Sequence, residues 1–130
     1  MIAPEPLAEQ AARKLFAAWE RWDLDTVGSL VAEEAVDERP QSGESFIGRA
    51  NIMGMYAEVP GPPQIRWRSV LGGPSVWVAE GKVDYGEGPV SIIGVVELEN
   101  AEVVRARYYF ADPFEPPAAR IRWSNAATKA

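Results

Sequence analysis

The stretch DERPQSG, residues 37–43, sets Asp37 and Arg39 two positions apart, directly before a proline and a turn. Alternate side chains of an extended strand share a face, so these two charges are close enough to pair. Two roles are open to them. One is a structural ion pair, which is often only neutral for stability because desolvating both ions offsets their attraction. In the other, Arg39 holds a carboxylate or enolate oxygen of a ligand while Asp37 orients it or acts as a base. The chain contains no His and no Cys, which excludes imidazole bases, thiolate nucleophiles, disulfides and Cys/His zinc sites. Acid–base work therefore falls to Asp, Glu, Tyr or Lys. The glycines of GRANIMG lack the spacing of a phosphate loop, and neither a metal nor an organic cofactor is implied.

At 130 residues, 47% hydrophobic and 25% charged, the chain has the size and composition of one globular domain, 1–130, with a core large enough to enclose a ligand cavity. Residues 1–5 read as a loose N-terminus and 113–130 as a C-terminal extension carrying Phe114, Ile121 and Trp123. The net charge of -6 repels phosphate backbones and anionic lipid on average, so no nucleic acid and no membrane is expected as a partner. MIAPEPLAEQ has neither the basic nor the apolar region of a signal peptide, and no apolar run approaches a membrane span. A cytoplasmic location is expected.

The elements that must position the charges follow from periodicity. Apolar residues recur at three- and four-residue steps from Pro6 to Trp22, an amphipathic helix. Asp23 caps a second, short helix over Leu24–Val31. AVDERP has the length of a short strand running into the turn QSGES. A third helix opens at Gly48, with Ile52, Met55, Tyr56 and Val59 on one face, and PGPP stops it. The period then changes to two, predicting strands near 64–71, 75–85, 90–99 and 102–111 in an antiparallel meander. Helices followed by strands make an α+β fold.

Alternation assigns the faces. Trp77, Ala79, Gly81, Val83 and Tyr85 share one face of their strand; Val104, Ala106, Tyr108 and Phe110 oppose Arg105, Arg107 and Tyr109; Ile65, Trp67, Ser69 and Leu71 oppose Arg66 and Arg68. On the apolar face small residues alternate with rings, which either leaves room for a cavity or is filled by the helices. Trp19, Trp67 and Trp77 read as core or cavity wall. Tyr56, Tyr85 and Tyr108 can each bond a ligand carbonyl or a backbone one, and Phe110 joins them as a candidate ligand contact. The four arginines opposite Glu80 and Asp84 suggest cross-strand pairs.

The order of these elements, and the stretches LFAAWERWDLDTVGSLVAEEAVDERP, IGRANIMGMY and VVRARYYFADPFEPP, resemble the NTF2-like superfamily and, more narrowly, its SnoaL-like domains. That group includes polyketide cyclases, ketosteroid isomerase and limonene epoxide hydrolase. The resemblance implies a cone-like α+β barrel, three helices packed on a strongly curved sheet, with an internal pocket for a small hydrophobic or amphipathic molecule, and a homodimer through the outer sheet face. It also sends Asp37 and Arg39 inward and Glu38 outward. It puts Ile93, Val95 and Glu97 on the pocket side, where desolvation near Tyr108 would raise the Glu97 pKa and fit it for proton transfer. Leu15 to Pro40 align with ketosteroid isomerase without a gap. Where the isomerase keeps its tyrosine donor, its aspartate base and its protonated aspartate, this chain has Leu15, Arg39 and Ile93. One lost oxyanion donor already costs about 3–4 kcal/mol of transition-state stabilisation, so steroid isomerisation by that mechanism is excluded. SIIGVVEL likewise lacks the Arg and Asp of the epoxide hydrolases. What the resemblance leaves is a small-molecule-binding protein that is either non-catalytic or a cyclase or isomerase, with Asp37 or Glu97 as base and Arg39 or a tyrosine stabilising an enolate.

Overall fold

The computed structural model describes residues 5–125. Residues 1–4 of the N-terminus expected to be loose at 1–5, and 126–130 of the extension expected at 113–130, lie outside these; Glu5 instead opens the first helix. Helix α1 spans Glu5–Arg21 and α2 Leu24–Leu30. Ala8, Ala11, Ala12, Leu15, Phe16, Ala18 and Trp19 form the buried stripe of α1. Small alanines among the large residues let this helix lie close against the sheet. Asp23 caps α2 as its position predicts, accepting from the Thr26 N–H at 3.1 Å and the Thr26 hydroxyl at 2.6 Å, and these bonds hold its carboxyl below the usual range. Between the helices Trp22 adopts φ 52°, a left-handed conformation that costs a bulky residue about 1–2 kcal/mol.

The strands are β1 Val31–Arg39, β2 Glu44–Ile47, β3 Gln64–Gly72, β4 Val76–Asp84, β5 Pro89–Glu99 and β6 Glu102–Ala111, with α3 over Arg49–Ala57 and a short α4 over Ala118–Ile121. They form one sheet in the order β2-β1-β6-β5-β4-β3. The four later strands pair antiparallel in chain order, the expected meander, and two features lie beyond it. Strand β1 starts directly after α2 and pairs parallel to β6, with Asp37 beside Ala106. The turn QSGES is followed by a four-residue edge strand, β2, that folds back on β1. The turn is closed by Ser42 and Gly43 N–H groups donating to the Arg39 carbonyl at 3.1 and 2.8 Å, and Gly43 sits at φ 83°, where a side chain would be strained.

Three assigned faces need correction, two of them because of bulges. Trp67 pairs with Gly81 but Ser69 with Glu80, so Arg68 is the extra residue and Leu71 turns to the outer face, 68% exposed. Glu97 pairs with Arg105 but Leu98 with Val103. Val104 is therefore the extra residue and Val103, not Val104, is buried. In β5 the buried side chains are Ile92, Gly94, Val96 and Leu98, so Ile93, Val95 and Glu97 stand on the outer face, opposite to expectation. The outer arginines pair as Arg68–Glu80, Arg105–Glu38 and Arg107–Glu97, whereas Arg66 faces Lys82. The C-terminal extension leaves Phe114 and Trp123 79% and 76% exposed.

Two glycines let the layers close. A Cβ at Gly81 would strike the β3 backbone at Arg66 and Trp67, and one at Gly94 would lie 2.7 Å from the Tyr108 ring. Backbone cannot yield as a ring can. Gly94→Ala is expected to cost about 1–3 kcal/mol and Gly81→Ala more than that; urea unfolding that ranks them the other way would contradict this packing.

Candidate functional site

Between the end of α1, α3 and the inner face of the sheet lies a cavity of about 220 Å3. Trp19 and Trp22 come from α1 and its end, Met55 and Tyr56 from α3, Ile65 and Trp67 from β3, and Ile92, Tyr108 and Phe110 from β5 and β6. Val59 and the half-exposed Tyr85 complete the wall. Arg39 projects into this set from the last position of β1. The polar edges of two rings are already used: Trp67 donates to the Phe16 carbonyl at 2.9 Å and Trp19 to the Tyr108 hydroxyl at 3.1 Å. A broader depression of about 840 Å3 between α2, α3 and β2 is open to solvent and is lined by no aromatic ring.

The charged centre is a short chain of contacts. Arg39 Nη2 donates to the Tyr56 hydroxyl at 2.6 Å, and that hydroxyl donates to Asp37 Oδ2 at 2.7 Å. Arg39 Nη1 lies 3.5 Å from Asp37 Oδ1, an ion pair without a hydrogen bond, and Oδ1 has no other partner among the described residues. The guanidinium carbon stands 4.9 Å from the Tyr108 ring centre, 5.4 Å from Tyr56 and 5.9 Å from Phe110, distances at which ring faces attract a cation. Its Nε and Nη1 make no hydrogen bond among the described residues.

Burial sets the protonation behaviour. Asp37 is 3% exposed, and desolvation raises its pKa despite the opposing Arg39 charge and Tyr56 hydrogen bond. Burial also works against the Arg39 charge, but Tyr56 and Asp37 together outweigh it and Arg39 stays protonated. Tyr56 and Tyr108 are pushed well up, chiefly by burial, and remain neutral phenols.

Of the residues singled out from sequence, the fold brings Trp19, Arg39, Tyr56, Trp67, Tyr85, Tyr108 and Phe110 to one cavity, with Asp37 behind Tyr56 rather than in its wall. Two positions need correction. Trp77 is buried in the core away from the cavity, its ring 5.6 Å from the Arg13 guanidinium. Glu97 lies on the outer face and accepts from Arg107 at 2.6 Å. Trp22 was missed as a cavity residue because it counts as one more apolar step of α1. Its left-handed turn instead swings the ring to 5.3 Å from Trp19 and 6.2 Å from Tyr56. Gln41 was missed too: its side-chain amide bonds both the N–H and the carbonyl of Phe110.

The SnoaL-like domain model matches residues 12–123, and the chain belongs to that family within the NTF2-like superfamily. An NTF-2 like protein of unknown function from Burkholderia xenovorans LB400 is 28% identical, with a TM-score of 0.85 over 96% of this chain and 98% of that one. A Kribbella flavida protein bearing the provisional name of ketosteroid isomerase is 22% identical, TM-score 0.88, over 96% and 93%. TerC, co-crystallised with polyporic acid, shares the fold at 17% identity and TM-score 0.69, over 80% and 91%. No curated protein matches the sequence. In β5 the inward residues nearest Ile93 are Ile92 and Gly94, and neither carries an acid.

Because its pKa is raised on folding, Asp37 holds more proton in the native than in the unfolded chain from the ordinary value of 3.8 upward. Its contribution to stability is therefore present at low pH and is lost as pH rises through the raised value. Asp37→Asn removes this dependence. In urea unfolding from about pH 4 to pH 7, the stability of the natural chain relative to Asp37→Asn should fall as pH rises; a rise would mean that attraction to Arg39 outweighs burial.

Proposed function

We propose that this protein binds a compact amphipathic molecule of one or two rings, with its apolar part among the cavity rings and an anionic or enolic oxygen on Arg39. One observation carries the reading: a protonated, largely buried guanidinium stands in an aromatic cavity with Nε and Nη1 making no hydrogen bond among the described residues. Charge-assisted bonds to such a group are among the strongest a ligand can make. The volume of about 220 Å3 is below the roughly 300–1,000 Å3 of pockets that enclose drug-sized ligands, which favours small ring systems. Rings around a cation would also suit a quaternary ammonium, but Arg39 already occupies that place. TerC, with its bound polyporic acid, supports an acidic ring compound as the class to test.

A catalytic extension is favoured by the bridging Tyr56 hydroxyl. A ligand C–H next to a carbonyl can lose its proton to the Tyr56 oxygen while the Tyr56 proton passes to Asp37, leaving an enolate beside Arg39. Asp37 then becomes neutral as the enolate appears, so the buried charge stays balanced. The raised pKa of Asp37 suits it to accept that proton. Without this step the protein is a non-catalytic binder. The outer sheet face, where Leu71, Val76, Val78, Ile93 and Tyr109 are exposed among ion pairs, is proposed as a homodimer surface.

Tryptophan fluorescence titration with 2-naphthoate and with 2-naphthalenemethanol tests the anchor. Arg39→Ala should weaken the acid by about 10- to 100-fold and the alcohol little; equal weakening of both would overturn the anchor. Deuterium uptake at the carbon next to the carbonyl of 2-tetralone, followed by NMR, separates enzyme from binder: the natural chain should exceed buffer and Tyr56→Phe should not. Sedimentation equilibrium should give a dimer that Val78→Glu with Ile93→Glu converts to monomer.

A further inference from the structure

The end of β1 presents a backbone problem that Gln41 solves. Pro40 has no N–H and cannot extend the ladder shared with β6, and the last parallel pair is Glu38 with Arg107. On its other side β6 continues, with Phe110 paired to Ile92 of β5. The Gln41 side chain takes over where the β1 backbone stops. Its Nε2 donates to the Phe110 carbonyl at 2.6 Å, and the Phe110 N–H donates to its Oε1 at 2.6 Å. One primary amide thus supplies the donor and acceptor that a neighbouring strand would have supplied.

What Gln41 holds is a partition. Phe110, Tyr108, Met55 and Arg39 line the cavity of about 220 Å3 on one side and, on the other, a groove of about 440 Å3 that Gln41 and Ser42 also line. Phe110 is only partly buried and is the next-to-last residue of β6, so its position depends on what fixes the backbone there. We propose that Gln41 is a specificity-determining positioning residue: by pinning Phe110 from the β1 side it keeps cavity and groove apart and limits the length of ligand that reaches Arg39. This rests on the proposed binding role of the cavity. With Phe110 held, a ring acid must end at the partition; with Phe110 released, a chain attached to the ring can run past Arg39 into the groove.

The test uses 2-naphthoate and 6-hexyl-2-naphthoate as probes of the full chain. The natural protein should bind the short acid at least about tenfold more tightly than the long one. Gln41→Ala should bring that ratio close to one while changing affinity for the short acid by less than about threefold, a split that general loosening of the fold does not produce. Phe110→Ala, which removes the partition itself, should give the same ratio, and adding Gln41→Ala to it should change the ratio no further. Amide exchange at Phe110 should quicken in Gln41→Ala. If 2-naphthoate binds and Gln41→Ala keeps the natural ratio, or if the natural chain does not discriminate, the assignment to Gln41 is wrong. If the natural chain binds neither acid, the binding role falls and this assignment with it.

Discussion

Placing a guanidinium among aromatic rings strips it of water, and the neighbours of Arg39 are arranged to replace what it loses. A phenol oxygen accepts its hydrogen bond, a carboxylate answers its charge from behind, and three rings lie within cation distance. Each replacement constrains an element. The turn bonds to the Arg39 carbonyl fix the end of β1, and the Gly48 N–H bonded to the Ala35 carbonyl at 2.7 Å sets where α3 begins, so that Tyr56 reaches over β1. Parallel pairing puts Asp37 beside the small Ala106, where a buried carboxylate has room. An unpaired charge in this position would cost several kcal/mol. The pair, the phenol and the strand order therefore stand together.

Much of this arrangement was legible in the residues, and its failures share a cause. The first three helices and the four later strands follow from periods of 3.6 and two, because each buries one face. Strand β5 defeats that logic: Ile92 and Ile93 are adjacent, as are Val95 and Val96, so both alternations look apolar and only the pairing partners decide. Bulges at Arg68 and Val104 reverse the count in mid-strand without a glycine or proline to mark them. The parallel union of β1 with β6 joins segments about seventy residues apart and leaves no local signal. Candidate residues on unambiguous faces meet at one cavity, with Trp77 in the core rather than its wall, whereas Glu97 falls on the opposite face and the positions of Trp22 and Gln41 depend on backbone geometry that leaves no local signal.

The family resemblance gains its meaning from charge. Where the isomerase pattern places a tyrosine, an aspartate and a protonated aspartate around its pocket, this chain offers buried Leu15, the cationic Arg39 and the inward pair Ile92 and Gly94. The scaffold is retained while the sign of the charge at the centre is reversed. A carboxylate at the position of Arg39 would repel an oxyanion; a guanidinium attracts one. The carboxylate that does remain, Asp37, is set two positions earlier in β1, behind Tyr56 and beside Arg39.

The left-handed turn at Trp22 has an optical consequence. By folding that indole beside Trp19 and opposite Trp67 it gathers three of the five tryptophans into one cavity wall, with Trp77 in the core and Trp123 facing water. A molecule in the cavity would meet these three indoles beside a guanidinium and three phenols, while Trp77 and Trp123 would report only on the core and on the C-terminal extension. The molecule carries a signal channel and a reference channel in the same spectrum.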